Sequence, residues 1–350
     1  MYPRDGTLQL SETESQFASL ARISNEKLVA FGSGMTAVQA AVAVALRTGA
    51  DEQHVLAHGR ELYGQTLVHI NTDLKKAGVR LVSFDSGDPS SVERVLEKHN
   101  PSIILAETIG NGPNVPVLHL ASLRKNIQQY APKSITILDN TLPLSTSLPL
   151  GEQLQVNDQI LVAESATKSY TFNKELAGLV YSPNQELIDT TREYRRTTGG
   201  RPGVASSEHI QSLLPASVEE FDARNRALYK KTGELALHLY EAEKEGADFV
   251  VAHPTLTSHP AHEYTTDHYP NGATPLFFLQ CLGTDDQFAL ATRLWRDERV
   301  REHMDIGQSF GFDRARMLPD EHGPYVRIAA GANTDTERLG EALKEAALIK

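Results

Sequence analysis

The sequence predicts an α/β chain, with a mostly parallel sheet flanked by helices and a smaller α+β domain after it. Three observations carry this. Between residues 28 and 182, short apolar runs alternate with amphipathic stretches of helical period, the pattern of strands joined by crossover helices. The runs are short and bounded by Gly, Pro, Asn and Asp, which suits buried strands better than helices. From about residue 205 the texture changes to long helical stretches with few apolar runs between them.

The elements follow in order. LVAFGSG (28–34) reads as a strand running into a turn, and TAVQAAVAVALRTG (36–49) as an Ala-rich helix. HVLAHG (54–59) is a strand and TLVHINTDLKKAG (66–78) a helix ending on glycine. VRLVSFD (79–85) is a strand, and PSSVERVLEKH (89–99) a helix with Pro and Ser at its start, where a missing N–H costs nothing. SIILAET (102–108) is a strand and VLHLASLRKNIQQYA (117–131) a helix. SITILDNT, QILVAES and LAGLVYS complete a set of seven strands. Beyond them, residues 206–246 read as a long helical stretch interrupted near Pro215. Strands DFVVAHP, TPLFFLQCLG and YVRIAAG, a helix around 285–303 and a last helix over 335–348 make the small domain. The expected division is residues 1–205, a large domain, and 206–350, a helical connection with a smaller α+β domain.

Bulk properties narrow the function. The chain has 350 residues, 40% hydrophobic and 23% charged, with a formal charge of -11. Such an acidic balance argues against nucleic acid or an anionic membrane as partner. One cysteine, Cys281, cannot form an internal disulfide or a zinc–thiolate cluster, and reads as a small buried hydrophobe. No apolar run approaches the ~20 residues that span a bilayer, and MYPRDGTLQLSETES lacks the apolar segment of a signal peptide. A cytoplasmic protein is expected. The first strand is not followed by GxGxxG, which argues against a dinucleotide-binding unit.

Four stretches carry chemistry. Lys168, in ESATKSY, follows an apolar run. A lysine that loses solvent is pushed toward its neutral form, a nucleophile for aldehydes, although a lysine snorkelling to solvent fits the same stretch. Asp139 ends SITILD. It suits a protonated ring nitrogen, or a turn closed through its side chain. Gly32-Ser33-Gly34-Met35 precedes a helix and makes a phosphate cradle or a plain cap. Tyr63, in LYGQT, is an aromatic for stacking or for the core. Together these four needs describe pyridoxal phosphate: an aldehyde, a pyridine nitrogen, a phosphate and a ring face.

The order of motifs then resembles the Cys/Met-metabolism family of fold-type I pyridoxal-phosphate enzymes, the cystathionine γ-synthase, cystathionine lyase and methionine γ-lyase group. Tyr2-Pro3-Arg4 is similar to its Y-x-R, and Phe31-Gly32-Ser33-Gly34-Met35 to its F-S-S-G-M. Tyr63-Gly64-Gln65-Thr66 resembles Y-G-x-T, and Glu107-Thr108-Ile109-Gly110-Asn111 resembles E-T/S-P-x-N. Asp139-Asn140-Thr141 and Ser165-Ala166-Thr167-Lys168 resemble D-N-T and S-x-T-K. Ser309-Phe310-Gly311 and Tyr325-Val326-Arg327 resemble the S-L-G and C-terminal arginine stretches.

The resemblance implies a fold-type I architecture with a seven-stranded sheet and roles for each motif. Lys168 holds the cofactor as an internal aldimine and moves protons. Asp139 keeps the ring nitrogen protonated. Tyr63 stacks on the ring and helps activate the amine or leaving group. Gly34, Met35, Ser165 and Thr167 hold the phosphate, with Tyr2 and Arg4 reaching it in a neighbouring subunit. Asn111 sits near the ring hydroxyl. Arg327 clamps the substrate α-carboxylate bidentately, with Ser309 adding a backbone contact. The implied activity is β/γ-elimination or γ-replacement on Cys/Met/homoserine-type amino acids. The alternatives are a different bond-forming outcome with the same cofactor, or a cofactor-binding protein without turnover.

Relatives carry some tens of residues before the first motif, which begins here at residue 2; a homodimer with shared sites, or a homotetramer, is expected. After the lysine, SYTFNKELAGL replaces a G-G-H-S-D-like stretch, and Ile109-Gly110 and Gly112 stand where prolines are usual. His253, His259, His262 and His268 cluster as a metal site would, but the family has a similar S-H-P-x-H loop, and no metal is expected. Arg201, in TTGGRPG, reads as solvated or as a contact for a second substrate charge.

Overall fold

The computed structural model describes residues 6–49, 54–282, 286–320 and 323–349. The chain divides into two compact units, one of Met1–Gly112 with Pro116–Phe221, the other of Pro113–Val115 with Asp222–Lys350.

In the first unit, helix α1 (Leu8–Leu20) leads to β1 (Leu28–Phe31), α2 (Gly34–Thr48) and β2 (Val55–Gly59). Then come α3 (Gly64–His69), β3 (Arg80–Phe84), α4 (Pro89–His99), β4 (Ile103–Glu107), α5 (Leu120–Tyr130) and β5 (Ile135–Asp139). Two single-turn helices, α6 (Leu144–Ser147) and α7 (Leu150–Gln153), precede β6 (Ile160–Glu164). The unit continues through α8 (Ala166–Ser169), β7 (Gly178–Tyr181), α9 (Gln185–Thr198) and α10 (Val204–Leu213).

The seven strands form one sheet in the order β1-β7-β6-β5-β4-β2-β3. All neighbours are parallel except β7, which runs against both β6 and β1. The expected mostly parallel seven-stranded sheet is present. The Ala-rich face of α2 lies against β1, β5, β6 and β7, and Ala37, Ala40, Ala41, Val44 and Ala45 enter a core with Val29, Phe31, Leu105, Ile137 and Leu161. Alanine lets that helix approach the sheet closely. Ser33 caps it, its Oγ accepting the Thr36 N–H at 3.1 Å. The helix expected over 66–78 slips into a π-turn at Ile70–Leu74.

The chain passes to the second unit within α11 (Val218–Lys244). Its sheet contains β8 (Phe249–Ala252), β9 (Leu276–Cys281), β10 (Met304–Ile306), β11 (Ala315–Pro319) and β12 (Tyr325–Ala329), ordered β10-β11-β12-β9-β8. Helices α12 (His262–His268), α13 (Gln287–Arg296), α14 (Glu298–His303) and α15 (Thr336–Leu348) complete it. Phe249, Phe277, Cys281, Met317, Val326 and Ile328 join Leu290, Leu294 and Leu343 in one core. Cys281 is a buried free thiol.

The helix expected over 285–303 is two helices, because Asp297 accepts the Arg299 N–H and caps a fresh start. Strands β10 and β11 are additions to the sequence reading. Among the described residues, no helix is long and apolar enough to cross a membrane.

Candidate active site

Three carboxylates end three adjacent parallel strands. Glu107 closes β4 opposite Asp139, which closes β5. Asp139 pairs with Ala163, one residue before Glu164 on β6. The carboxyl end of a parallel sheet is where α/β proteins collect their ligands.

Glu107 is buried and fully committed. Its Oε1 accepts the Tyr63 N–H at 2.5 Å and its Oε2 the Asn111 N–H at 2.7 Å. It thereby ties the Tyr63 loop, which starts α3, to the loop after β4. Burial pushes the Glu107 carboxyl well above the usual range, and the charge of Asp139 adds to this. Burial also raises Asp139, partly offset by Thr141, whose N–H donates to Oδ1 at 2.9 Å. A cation beside Asp139 would restore its ionised form.

The Gly32-Ser33-Gly34 turn meets the end of β6. A Cβ on Gly34 would lie 2.6 Å from Ser165 Cβ and 2.7 Å from its Oγ, so only glycine permits the approach. The Ser165 N–H donates to Thr141 Oγ1 at 2.8 Å, linking this corner to the Asp139 strand. Gly32 donates its N–H to the Gly200 carbonyl at 3.0 Å. Gly178, from β7, backs the turn: a Cβ there would overlap the Ser33 carbonyl and lie 2.8 Å from the Gly34 nitrogen. Gly178→Ala is therefore expected to destabilise the protein by about 1–3 kcal/mol, read as a lower urea midpoint. An unchanged midpoint would mean that the turn yields freely.

Met35 is the second residue of α2, and Thr66 Oγ1 lies 3.7 Å from its Sδ. Lys168 sits half-buried in α8, the short helix after β6 rather than the strand end itself. Thr167 is buried, and its hydroxyl donates to the Ala177 carbonyl at 3.1 Å while accepting the Ala177 N–H at 3.0 Å. To donate to a phosphate, that proton has to leave Ala177. Tyr63 is 39% exposed, leaving a ring face available. Asn111 Oδ1 is buried without a hydrogen-bond partner among the described residues. An orphaned acceptor of this kind is rare unless a ligand supplies the donor. The orphaned Asn111 acceptor, the Gly34 cradle and the half-buried Asp139, whose carboxyl burial raises, fit pyridoxal phosphate.

Sequence reasoning missed the layer beneath. Glu164 Oε2 accepts the Tyr170 hydroxyl at 2.6 Å, and its Oε1 accepts the Tyr181 hydroxyl at 2.8 Å and Asn140 Nδ2 at 3.1 Å. Thr108 Oγ1 donates to Asn140 Oδ1 at 2.9 Å. Burial raises the Glu164 carboxyl to about 7, against the lowering by these donors. Tyr170 packs edge-on to Phe17 and tilted against Phe221. The available signal was a glutamate ending the apolar run ILVAE. Two further residues of this segment, Phe172 and Asn173, have φ of 54° and 60°, unusual for side-chain-bearing residues. The turn is held by Asn173 N–H to the Thr167 carbonyl at 2.7 Å and by Thr171 Oγ1 to the same carbonyl at 3.2 Å.

Arg327 and Ser309 belong to the second unit. Arg327 lies on β12 opposite Phe278 and Leu318, and Ser309 has φ 77°. Tyr2 and Arg4 lie outside the described residues. Arg201 Nη1 is buried without a hydrogen-bond partner among the described residues. His259 serves the backbone, with Nε2 on the Asn114 carbonyl at 2.8 Å and Nδ1 accepting the Ala261 N–H at 3.1 Å. Burial lowers His253 to about 3, and no metal-holding group of three ligands occurs among the described residues.

The chain is 28% identical over 266 residues to an L-methionine gamma-lyase of Treponema denticola, covering 75% of this chain and 61% of that protein. It is 25% identical over 232 residues to the cystathionine beta-lyase of Saccharomyces cerevisiae, covering 65% and 49%. The chain thus spans about three fifths and one half of these two relatives. A cystathionine gamma synthase structure from Xanthomonas oryzae pv. oryzae, with aminoacrylate and cysteine, superposes with a TM-score of 0.80 at 19% identity, over 99% of this chain and 87% of that one. That likeness shows the fold, the fold-type I architecture. Residues 1–294 match the family described as Cys/Met metabolism PLP-dependent enzyme, and the chain belongs to that family, with pyridoxal phosphate as its cofactor.

Proposed function

We propose that the protein catalyses β/γ-elimination or γ-replacement on a Cys/Met/homoserine-type L-amino acid, with Lys168 as the residue that carries the cofactor. The observation that carries this reading is the convergence at one sheet end of Lys168 after β6, Asp139 at the end of β5 and the Gly34–Ser165 corner. The first unit would hold the cofactor.

Bound there, pyridoxal phosphate supplies an electron sink for the pair left at the substrate Cα. The chain's own residues do the rest. Asp139 would hold a proton at the ring nitrogen, since the cation there restores the ionised carboxylate that burial disfavours. The Lys168 amine takes the Cα proton and returns it. Glu107 keeps the Tyr63 and Asn111 backbones fixed, so that Tyr63 would stack on the ring and Asn111 would lie near its hydroxyl. Gly34, Met35, Ser165 and Thr167 would hold the phosphate. In a homodimer or homotetramer, Tyr2 and Arg4 of a neighbouring subunit complete that site. Arg327 and the Ser309 backbone orient the α-carboxylate.

The test is to mix the purified protein with methionine, cystathionine and O-acylhomoserines, and follow keto acid, ammonia and new thioethers. Absence of product from all of them would overturn the assigned reaction. Arg327→Ala is expected to raise KM by roughly 10- to 100-fold, the worth of a charge-assisted contact, and to leave the yellow colour intact. Loss of colour in that variant would refute its role as a substrate clamp.

A further inference from the structure

Lys168 stands on a very short element. Helix α8 is a single turn, Ala166–Ser169, and fixing one turn costs more than its own hydrogen bond returns. Its direction is therefore set from outside. At the start, the Ser165 N–H donates to Thr141 Oγ1 at 2.8 Å. At the end, Tyr170 caps the helix, its N–H donating to the Ala166 carbonyl at 3.2 Å. Phe172 and Asn173 then take left-handed backbone angles, so the chain turns away just after Tyr170.

Tyr170 is fully buried. Its ring lies 5.6 Å from that of Phe17 and 4.6 Å from that of Phe221, centroid to centroid. Its hydroxyl donates to Glu164 Oε2 at 2.6 Å, which closes a loop from Glu164 to Tyr170 with Lys168 inside it. The other oxygen of the same carboxyl group accepts Asn140 Nδ2 at 3.1 Å. Thr108 Oγ1 donates to Asn140 Oδ1 at 2.9 Å and so turns Nδ2 toward Glu164. Asn140 directly follows Asp139. One buried carboxyl group thus ties the strand end that carries Asp139 to the turn that carries Lys168. A buried network with its members paired rigidifies what it joins.

We propose that Tyr170, acting through Glu164, is a positioning residue that fixes the Lys168 amine relative to Asp139. The amine then meets the substrate Cα proton at one distance and angle. This rests on the reading of Lys168 as the residue that carries the cofactor and moves that proton.

Two hydroxyl deletions on the holoenzyme test it. Tyr170→Phe keeps the ring against Phe17 and Phe221 and removes the bond to Glu164. Tyr181→Phe removes the other tyrosine bond to the same group, 2.8 Å to Oε1, but from strand β7 rather than from the lysine turn. Both should lower the urea midpoint. Tyr170→Phe alone should lose roughly 10- to 100-fold in kcat, the cost of a misplacement of about 1 Å, with KM unchanged, on the amino acid that the wild type converts. The circular dichroism of its cofactor band should fall as well, because a planar ring shows strong dichroism only when held in one asymmetric setting. Wild-type kcat and dichroism with a lowered midpoint would overturn the proposal and leave Tyr170 a structural residue. Equal losses of kcat in the two variants would overturn it too, since Glu164 short of a donor would then be the cause. Should the wild type convert none of the amino acids tried, the dichroism of the two variants decides in the same way. Lys168→Ala judges the underlying reading separately. If that variant keeps its visible band, the anchor is wrong; if it loses the band while Tyr170→Phe keeps full kcat and dichroism, only the positioning role falls.

Discussion

Replacement of Lys168 by alanine is expected to abolish measurable turnover and to remove the absorbance that pyridoxal phosphate shows when attached to a lysine amine. Loss of proton transfer alone costs roughly 10²–10⁴ in rate, and loss of the covalent attachment adds to it. The position allows a clean test. Lys168 is half-buried in the four-residue helix α8, and alanine is the residue that a helix tolerates best. The surrounding turn is held by Thr167, Thr171 and the Asn173 N–H. The variant should therefore unfold at nearly the wild-type urea concentration while losing activity. A variant that kept its visible band and its rate would place the anchor elsewhere. One that lost activity only by unfolding would leave Lys168 a structural residue.

What was legible in the sequence, and what was not, divides along physical lines. The runs that became β4 and β5 are almost wholly apolar because both faces of a parallel sheet are covered. Such strands announce themselves, and their spacing implies the crossover helices. Strand β11 did not. In ARMLP only alternate residues enter the core, and a charged arginine between Ala315 and Met317 hides so short an alternation. The π-turn at Ile70–Leu74 has no signal either, since it changes hydrogen-bond partners and not polarity.

Lys168 and Asp139 stand out in the sequence because each is an odd residue after an apolar run. Glu107 and Glu164 end such runs too, yet their work is done inward. Glu107 ties two loop backbones, and Glu164 gathers two tyrosines and an asparagine from elsewhere in the chain. Such partners become visible only when strands far apart in sequence lie side by side.

The apo protein is expected to lose stability as the pH rises from about 5 to 8, and Glu164 to account for about 3 kcal/mol of that loss. Glu164 is 1% exposed. Three donors favour its charge, but burial opposes it more strongly and lifts the carboxyl from 4.5 to about 7. In the unfolded chain the group titrates near its ordinary value. Between the two values the folded state holds a proton that the unfolded state has released. The stabilisation from this group is thus complete below about 4.5 and disappears as the pH passes 7. At 1.36 kcal/mol per unit, the difference amounts to about 3 kcal/mol. Glu164→Gln keeps the shape and one acceptor oxygen, with an amide N–H that can donate to the second tyrosine oxygen, but has no charge to desolvate. Its urea midpoint should match the wild type near pH 5 and exceed it near pH 8. Parallel pH profiles for the two proteins would show that the carboxylate is already ionised in the fold. In that case the hydrogen bonds from Tyr170, Tyr181 and Asn140 outweigh the loss of solvent, and the network beneath Asp139 carries a fixed negative charge. A neutral Glu164 has the opposite consequence: it leaves Asp139 as the carboxylate that a cation on the cofactor ring would meet.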